Sequence, residues 1–154
     1  TIDRLAERLG RTKGSYYHHF QSREGFVQAL LDHWEQEMTH RIIEQTEEAS
    51  RSSREKQRLL TDLTMGLHES RLEINLRAWA LSEPEVAAHL ARVDAARIGY
   101  LERIATELTE DAARAQVIAR IVYAVFVGAQ QMQPQVKGAY LVRMYAELNA
   151  LYGS

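Results

Sequence analysis

An all-α fold is the class that this sequence predicts, and three observations lead to it. The residues that dominate the chain are Ala, Leu, Glu, Arg and Gln, all good helix formers. Pro and Gly are scarce, at 2 and 8 of 154 residues, whereas all-β proteins are rich in turns. Apolar residues recur at intervals of three and four along most of the chain, which is the period of a helix. Hydrophobic residues make up 45% of the chain, which is enough for a core.

Capping residues and helix breakers divide the chain into successive helices. Thr1 and Thr12 are predicted N-caps of two short helices, and Gly10 ends the first of them. Ser22 begins a long helix from Arg23 to about residue 47. Its predicted i, i+4 apolar stripe consists of Phe26, Leu30, Trp34, Met38 and Ile42. Further helices are predicted at about 54–70, 73–81, 84–108, 109–130 and 139–151, the fourth of these with Thr109 as its cap and acidic residues in its first turn.

Composition excludes several kinds of protein. The chain has no Cys, so disulfides, thiol catalysis and zinc–thiolate sites are excluded, which fits a cytoplasmic protein. No apolar run approaches the roughly 20 residues of a membrane span, and we expect no membrane partner. Residues 1–23 carry five Arg or Lys against two Asp or Glu, a net +3, which leaves −5 for the rest. A basic end on an acidic body is a signature of nucleic-acid contact.

The segment GRTKGSYYHHF, residues 10–20, predicts the second half of a helix-turn-helix. Two short helices separated by a glycine-containing turn are typical of that motif. In the second helix, Tyr16 and Phe20 share a face that can pack on neighbouring helices. Lys13 and Tyr17 share another, with Gly14 beside them. That second face presents a cation, bare backbone and polar groups, which suit base edges and phosphates in a major groove.

The stretch TIDRLAERLGRTKGSYYHHFQSREGFVQALL closely resembles the DNA-binding region of TetR-type repressors. The matching features are a Thr-capped helix, a glycine turn, a Thr-Lys-Gly-x-x-Tyr-x-His-Phe recognition helix, and a Ser-Arg-Glu start to the next helix, here Ser22 to Glu24. The resemblance covers about the first fifth of the chain. It implies a truncated helix-turn-helix domain at 1–24 and a helical effector-binding and dimerisation domain at 25–154. The family's first helix would precede Thr1, and we expect the helix-turn-helix to need it for DNA binding.

The resemblance implies three partners. The first is double-stranded operator DNA. The residues expected to contact it are Thr1, Thr12, Lys13, Gly14, Ser15, Tyr17, His18, His19 and Arg23. The second is a small, largely apolar effector held between the middle helices. The residues expected to line its site are Trp34, Met38, Met65, His68, Trp79, Arg97, Tyr100, Tyr123 and Phe126. Taken singly, each of these bulky residues is better explained as ordinary core.

The third implied partner is a second copy of the chain, bound through the last two helices at about 111–130 and 139–151. Small residues recur along both, with tyrosines among them, which suits close helix packing. Packing within one chain is the alternative. We favour the homodimer, because a twofold partner also accounts for paired half-sites on DNA.

Catalytic and metal sites are not predicted. His18 and His19 are adjacent, so their side chains point about 100° apart on a helix. Asp94 and Arg97, with Arg77 upstream, could indicate acid–base chemistry, but we favour an ion pair that ties the middle helices together. No nucleophilic triad or phosphate-binding glycine loop is present, so we expect no enzyme and no cofactor. The function predicted is a bacterial, cytoplasmic transcriptional repressor released by its effector. The alternative is a helical small-molecule-binding or interaction protein with a non-functional DNA reader.

Overall fold

The structure is a computed structural model that describes residues 22–67 and 71–150. The regular secondary structure in those residues is all helical, with no strand among them, so the predicted all-α class is confirmed. Both predicted helices of the helix-turn-helix, and every expected DNA-contacting residue except Arg23, lie outside the described residues. His68 also lies outside them.

The described helices follow one another with short connections. In chain order they are α1 (Arg23–Glu35), a π-helical turn (Gln36–His40), α2 (Arg41–Ala49), α3 (Ser53–Leu67), α4 (Arg71–Ala80), α5 (Pro84–Thr109), α6 (Ala112–Gln131) and α7 (Gly138–Ala150). The long helix predicted from Arg23 is therefore helical to Ala49, but a π-helical turn interrupts it. The chain divides into two compact units, with the boundary between Glu37 and Met38.

The first unit contains α1, which begins where the sequence predicts. The Ser22 hydroxyl accepts a hydrogen bond from the Gly25 N–H at 3.0 Å, so Ser22 is the N-cap. The buried residues of α1 are Val27, Leu31 and Trp34. The predicted stripe is therefore only partly right: Trp34 is buried, whereas Phe26 and Leu30 are half-buried.

The second unit is organised around α5 and α6, which pack along each other. Pro84 stands in the first turn of α5, as predicted, where its missing N–H costs nothing. α4 and α3 pack on α5, and α7 packs on α6. Small residues at the α5–α6 contact, Ala105 and Ala115, are fully buried and let the two backbones approach closely. The core cluster consists of Ala105, Ala115, Ile118, Val122, Ala129, Leu141 and Tyr145.

The junction between α5 and α6 corrects one predicted cap. Thr109 lies in the last turn of α5, and its hydroxyl donates to the Ala105 carbonyl at 2.8 Å. Glu110 then adopts a left-handed conformation, with φ of 55°, and ends the helix. Asp111 is the N-cap of α6, because its carboxylate accepts from the Arg114 N–H at 3.0 Å. The expected acidic residues therefore precede α6 and do not lie in its first turn.

α6 also corrects the expectation that no segment is apolar enough to cross a membrane. Among the described helices, α6 alone passes that test by length and composition, with a mean hydropathy of 1.4. One such helix is weak support for a membrane protein, because a core helix of a soluble protein has the same composition. Here one side of α6 supplies much of the core cluster.

Candidate functional site

A cluster of four charged side chains lies where α4, α5 and α6 meet. Two cations, Arg77 and Arg97, face two anions, Glu73 and Asp94, and the Tyr123 hydroxyl lies among them. Helical spacing explains the arrangement, because Glu73 and Arg77 stand one turn apart on α4 and Asp94 and Arg97 one turn apart on α5. We call these five residues the charge cluster.

Each cation has its own carboxylate. Arg77 grips Asp94 with two hydrogen bonds, Nη2 to Oδ1 at 2.8 Å and Nη1 to Oδ2 at 3.1 Å. Arg97 Nη1 donates to both oxygens of Glu73, at 2.9 and 3.1 Å. Arg77 also reaches Glu73 at 3.0 Å, so the two pairs form one connected network. The Arg77–Asp94 pair is bidentate, with two parallel N–H···O bonds, which adds both strength and geometric specificity.

Tyr123 joins the two pairs from α6. Its hydroxyl donates to Asp94 Oδ1 at 2.6 Å and accepts from Arg77 Nη2 at 3.0 Å and Arg97 Nη1 at 3.3 Å. The Tyr123 ring stacks on Phe126, with ring centroids 6.0 Å apart. The Arg97 guanidinium lies 6.0 Å from the centroid of the Phe126 ring. The apolar edge of the cluster is therefore aromatic.

Burial makes the pairing necessary. The side chains of Glu73 and Arg97 are 6% and 12% exposed, and unpaired charges at such sites would be costly. Burial alone would lower the pKa of Arg97, but the charge of Glu73 together with the hydrogen bonds to Glu73 and Tyr123 outweighs it, and the pKa of Arg97 is raised. Burial alone would raise the pKa of Asp94, but the hydrogen bonds from Arg77 and Tyr123, with the charges of Arg77 and Arg97, together lower it below its usual range. Arg97 and Asp94 are therefore ionised at neutral pH.

The phenol of Tyr123 has a raised pKa, which keeps it protonated at neutral pH. Burial raises this pKa to about 12, and the neighbouring Asp94 carboxylate adds to the rise, against the opposing charge of Arg97. A protonated phenol donates to Asp94 and accepts from the guanidinium groups. The geometry of the cluster is that of an ion-pair network bridged by a neutral phenol.

The predicted ion pair is confirmed in part. Arg77 and Asp94 pair directly, as expected of a contact that ties middle helices together. The partner of Arg97, however, is Glu73, which sequence reasoning did not identify. Two signals could have found it, since Glu73 stands four residues before Arg77 and three before the buried Leu76. A carboxylate on the buried face of a helix needs a cation nearby.

The residues expected to line an effector site lie in several separate parts of the structure. Arg97, Tyr123 and Phe126 come together at the charge cluster, and Arg97 also contacts the carbonyl of Met38. Met65 packs against the core cluster. Trp34 is buried in the first unit, and Trp79 is half-buried near the end of α4.

Tyr100 lies elsewhere, beside residues of α2 and α5. The Arg103 guanidinium lies 5.1 Å from the centroid of its ring. Burial and the neighbouring Glu47 carboxylate raise the pKa of Tyr100. Its hydroxyl is buried beside Glu47 and Thr46 of α2. Tyr100 is therefore not part of the charge cluster.

The outward sides of α6 and α7 carry apolar residues. On α6, Ala113, Val117, Ile121 and Ala124 are exposed at helical spacing, and Val117 is 57% exposed. A side chain added at Gly128 on the same side would meet nothing within 4 Å. On α7 the corresponding exposed residues are Ala139, Val142, Ala146 and Ala150. We call these eight residues, with Gly128, the outer apolar face.

Comparisons of the chain with protein-family models, with curated proteins and with solved structures found no match.

Proposed function

We propose that the protein is a ligand-responsive, DNA-binding transcriptional regulator of the TetR type, which acts in the cytoplasm as a repressor. The observation that carries the proposal is the sequence motif from Thr12 to Phe20, followed after one residue by Ser22-Arg23-Glu24. Many positions match in order, which a chance resemblance does not readily produce. A small, largely apolar effector releases the protein from its operator.

The start of α1 supports the proposal. The pattern requires a Ser-capped helix directly after the recognition helix, and Ser22 caps a helix whose first residue is Arg23. Arg23 is exposed, so its guanidinium is available to a DNA phosphate. The N-terminus of a helix also favours an anion.

The outer apolar face supports the dimer. Sequence inspection alone could not separate the small residues that pack within the chain from those that face outward. Ala119, Tyr123 and Tyr145 turn inward, whereas the residues of the outer apolar face turn outward on both helices. An apolar surface of alanines interspersed with Val117, Ile121 and Val142 on two neighbouring helices suits the close approach of the same two helices from a second copy.

The aromatic edge of the charge cluster supports an effector site. Phe126 and the Tyr123 ring offer an apolar contact, and Trp79 is half-buried on α4. An effector regulates DNA binding only if it binds the two states of the protein with unequal affinity. The quantity that it must change is the separation of the two recognition helices, which has to match successive major grooves about 34 Å apart.

The DNA-binding test uses the full-length protein and the promoter DNA upstream of its gene, at two salt concentrations. We expect selective binding that weakens with salt, because phosphate contacts release counterions. Lys13→Ala should weaken operator binding about ten- to a hundredfold. Lys137→Ala is the matched control, since it removes the same charge from an exposed loop. Absence of salt-sensitive, sequence-selective binding would refute the regulator and favour a small-molecule-binding or interaction protein.

The dimer test places a charge on the outer apolar face. Val117→Glu should convert a dimer to a monomer in sedimentation velocity, because a carboxylate would be buried without a partner. Gln116→Glu, at an exposed neighbouring position, is the control and should leave the dimer intact. A wild-type protein that sediments as a monomer would contradict this part of the proposal.

A further inference from the structure

The π-helical turn is in contact with the charge cluster through one side chain. Arg97 Nε donates to the Thr39 hydroxyl at 2.9 Å, and Arg97 Nη2 donates to the Met38 carbonyl at 3.1 Å. Both acceptors lie inside the turn Gln36–His40. Arg97 therefore contacts Glu73 and Tyr123 with one nitrogen and holds the π-helical turn with the other two.

A π-helical turn needs an external reason to persist. It is rare, occurs mostly as a single turn within an α-helix, and is frequent at functional sites. Donors that reach helix carbonyls from outside compete with the regular i to i−4 ladder and distort it. Thr39 is the buried residue of this turn, at 2% exposed, so its hydroxyl needs a partner from the protein. Arg97 is that partner.

The contact geometry and the π conformation depend on each other. Each residue of an α-helix advances about 100° and 1.5 Å. A π turn holds one residue more than an α turn, so conversion to a regular α-helix would shift the helical phase of the segment by about one residue. That shift would carry the Thr39 hydroxyl and the Met38 carbonyl away from the guanidinium. Arg97 cannot follow easily, because Glu73 holds it through both carboxylate oxygens.

We propose that Arg97 is a latch that keeps residues 36–40 in the π conformation, and that releasing it converts the segment to a regular α-helix. The device has two states. In the latched state Arg97 bridges Glu73, Tyr123 and the turn. In the released state the guanidinium has left Thr39 and Met38, and the backbone N–H groups that follow the turn bond four residues back instead of five. A group that competes with Glu73 or Tyr123 for Arg97 releases the latch. This inference rests on the charge cluster alone and is independent of DNA binding.

The test reads the hydrogen-bond pattern of the segment directly in the full chain. Through-hydrogen-bond NMR couplings identify the carbonyl that each backbone N–H contacts. In the wild type we expect partners five residues back at the turn. In Arg97→Met, which keeps the length of the side chain and removes its donors, we expect partners four residues back. Thr39→Val removes the hydrogen bond from Arg97 while keeping the shape of the side chain. It should change the amide-exchange rates of residues 38–43 by roughly tenfold.

The control is Asp94→Asn, which weakens the same charge cluster at a residue that pairs with Arg77 rather than with the turn. It should keep the π pattern and leave exchange in residues 38–43 within about twofold of the wild type. A π pattern that persists in Arg97→Met overturns the latch. So does a change in amide exchange of residues 38–43 in Asp94→Asn equal to that in Thr39→Val, because the turn would then depend only on general stability. If Arg97→Met does not fold, Thr39→Val and Asp94→Asn decide the matter by the same comparison.

Discussion

Glu73 is the residue whose substitution tests the charge cluster most directly. Glu73→Gln keeps the size of the side chain and one acceptor oxygen but removes the negative charge. Two guanidinium groups would then face a single carboxylate, because Asp94 stays paired with Arg77. Arg97, whose side chain is 12% exposed, would lose the carboxylate that both of its short contacts to Glu73 involve.

The expected loss of stability follows from the burial of Arg97 and from the contacts that Arg97 keeps in the variant. Removing one partner of a buried ion pair costs about 3–5 kcal/mol, because the other charge is left without compensation. The amide oxygen of the introduced Gln still accepts one hydrogen bond, and Asp94 still attracts Arg97. We therefore expect a loss at the lower end, about 3 kcal/mol in the free energy of unfolding. That is a large part of the 5–15 kcal/mol typical of a domain.

Urea unfolding at pH 7, followed by far-UV circular dichroism at one protein concentration, measures this loss. With a slope near 2 kcal/mol per molar urea, the midpoint should fall by about 1.5 M. Glu85→Gln is the matched control, because Glu85 is exposed on α5, and it should stay within about 0.5 kcal/mol of the wild type. The double variant Glu73→Gln with Arg97→Met should lose less than the sum of the single variants. A loss below about 1 kcal/mol in Glu73→Gln, or strict additivity in the double variant, would refute the reasoning.

Three further predictions concern the same unit. Asp94 has a lowered pKa, so the stabilisation from its pairing is complete above about pH 4 and is lost as the pH falls through its folded pKa. Asp94→Asn should therefore reduce the slope of unfolding free energy against pH, below pH 4, by up to about 1.4 kcal/mol per pH unit. An unchanged slope below pH 4 would contradict this. Tyr123→Phe keeps the ring stacking but removes a hydroxyl bonded to three charged groups, and should cost about 2 kcal/mol in urea unfolding; a cost under 0.5 kcal/mol would show that the hydroxyl is dispensable. Asp111→Ala should cost about 1 kcal/mol by loss of the N-cap of α6, whereas Thr109→Ala should cost less; the reverse order would restore Thr109 as the cap.

Most of the helices could be predicted from the sequence, because their signals are local. Ser22 and Pro84 act on backbone groups within one turn of themselves, and the structure places helix starts at both. The failure at Thr109 has the same local origin. Thr109 and Asp111 are both good caps two residues apart, and the left-handed turn at Glu110 decided between them.

The candidate site could be predicted only in outline. Arg77, Asp94 and Arg97 were recognisable as charged residues in apolar helices, which implies pairing. Which carboxylate meets which guanidinium was not recognisable, because the pairs form between helices. The separation along the chain is 17 residues for Arg77 and Asp94, and 58 for Arg97 and Thr39. No local pattern specifies contacts over such distances.

By itself, the sequence determined the all-α class, the main helices with their approximate ends, and the motif on which the proposed function rests. Helix period and capping act between residues a few positions apart, so they can be seen in the chain as written. The tertiary structure alone decided that Glu73 is the partner of Arg97, that Arg97 reaches the π-helical turn, and that Ala113 faces outward while Ala119 is buried. These outcomes depend on how α4, α5 and α6 rotate against one another when they pack. Every apolar or charged side chain at those positions competes for the same interior, and only the packed arrangement settles which of them is buried.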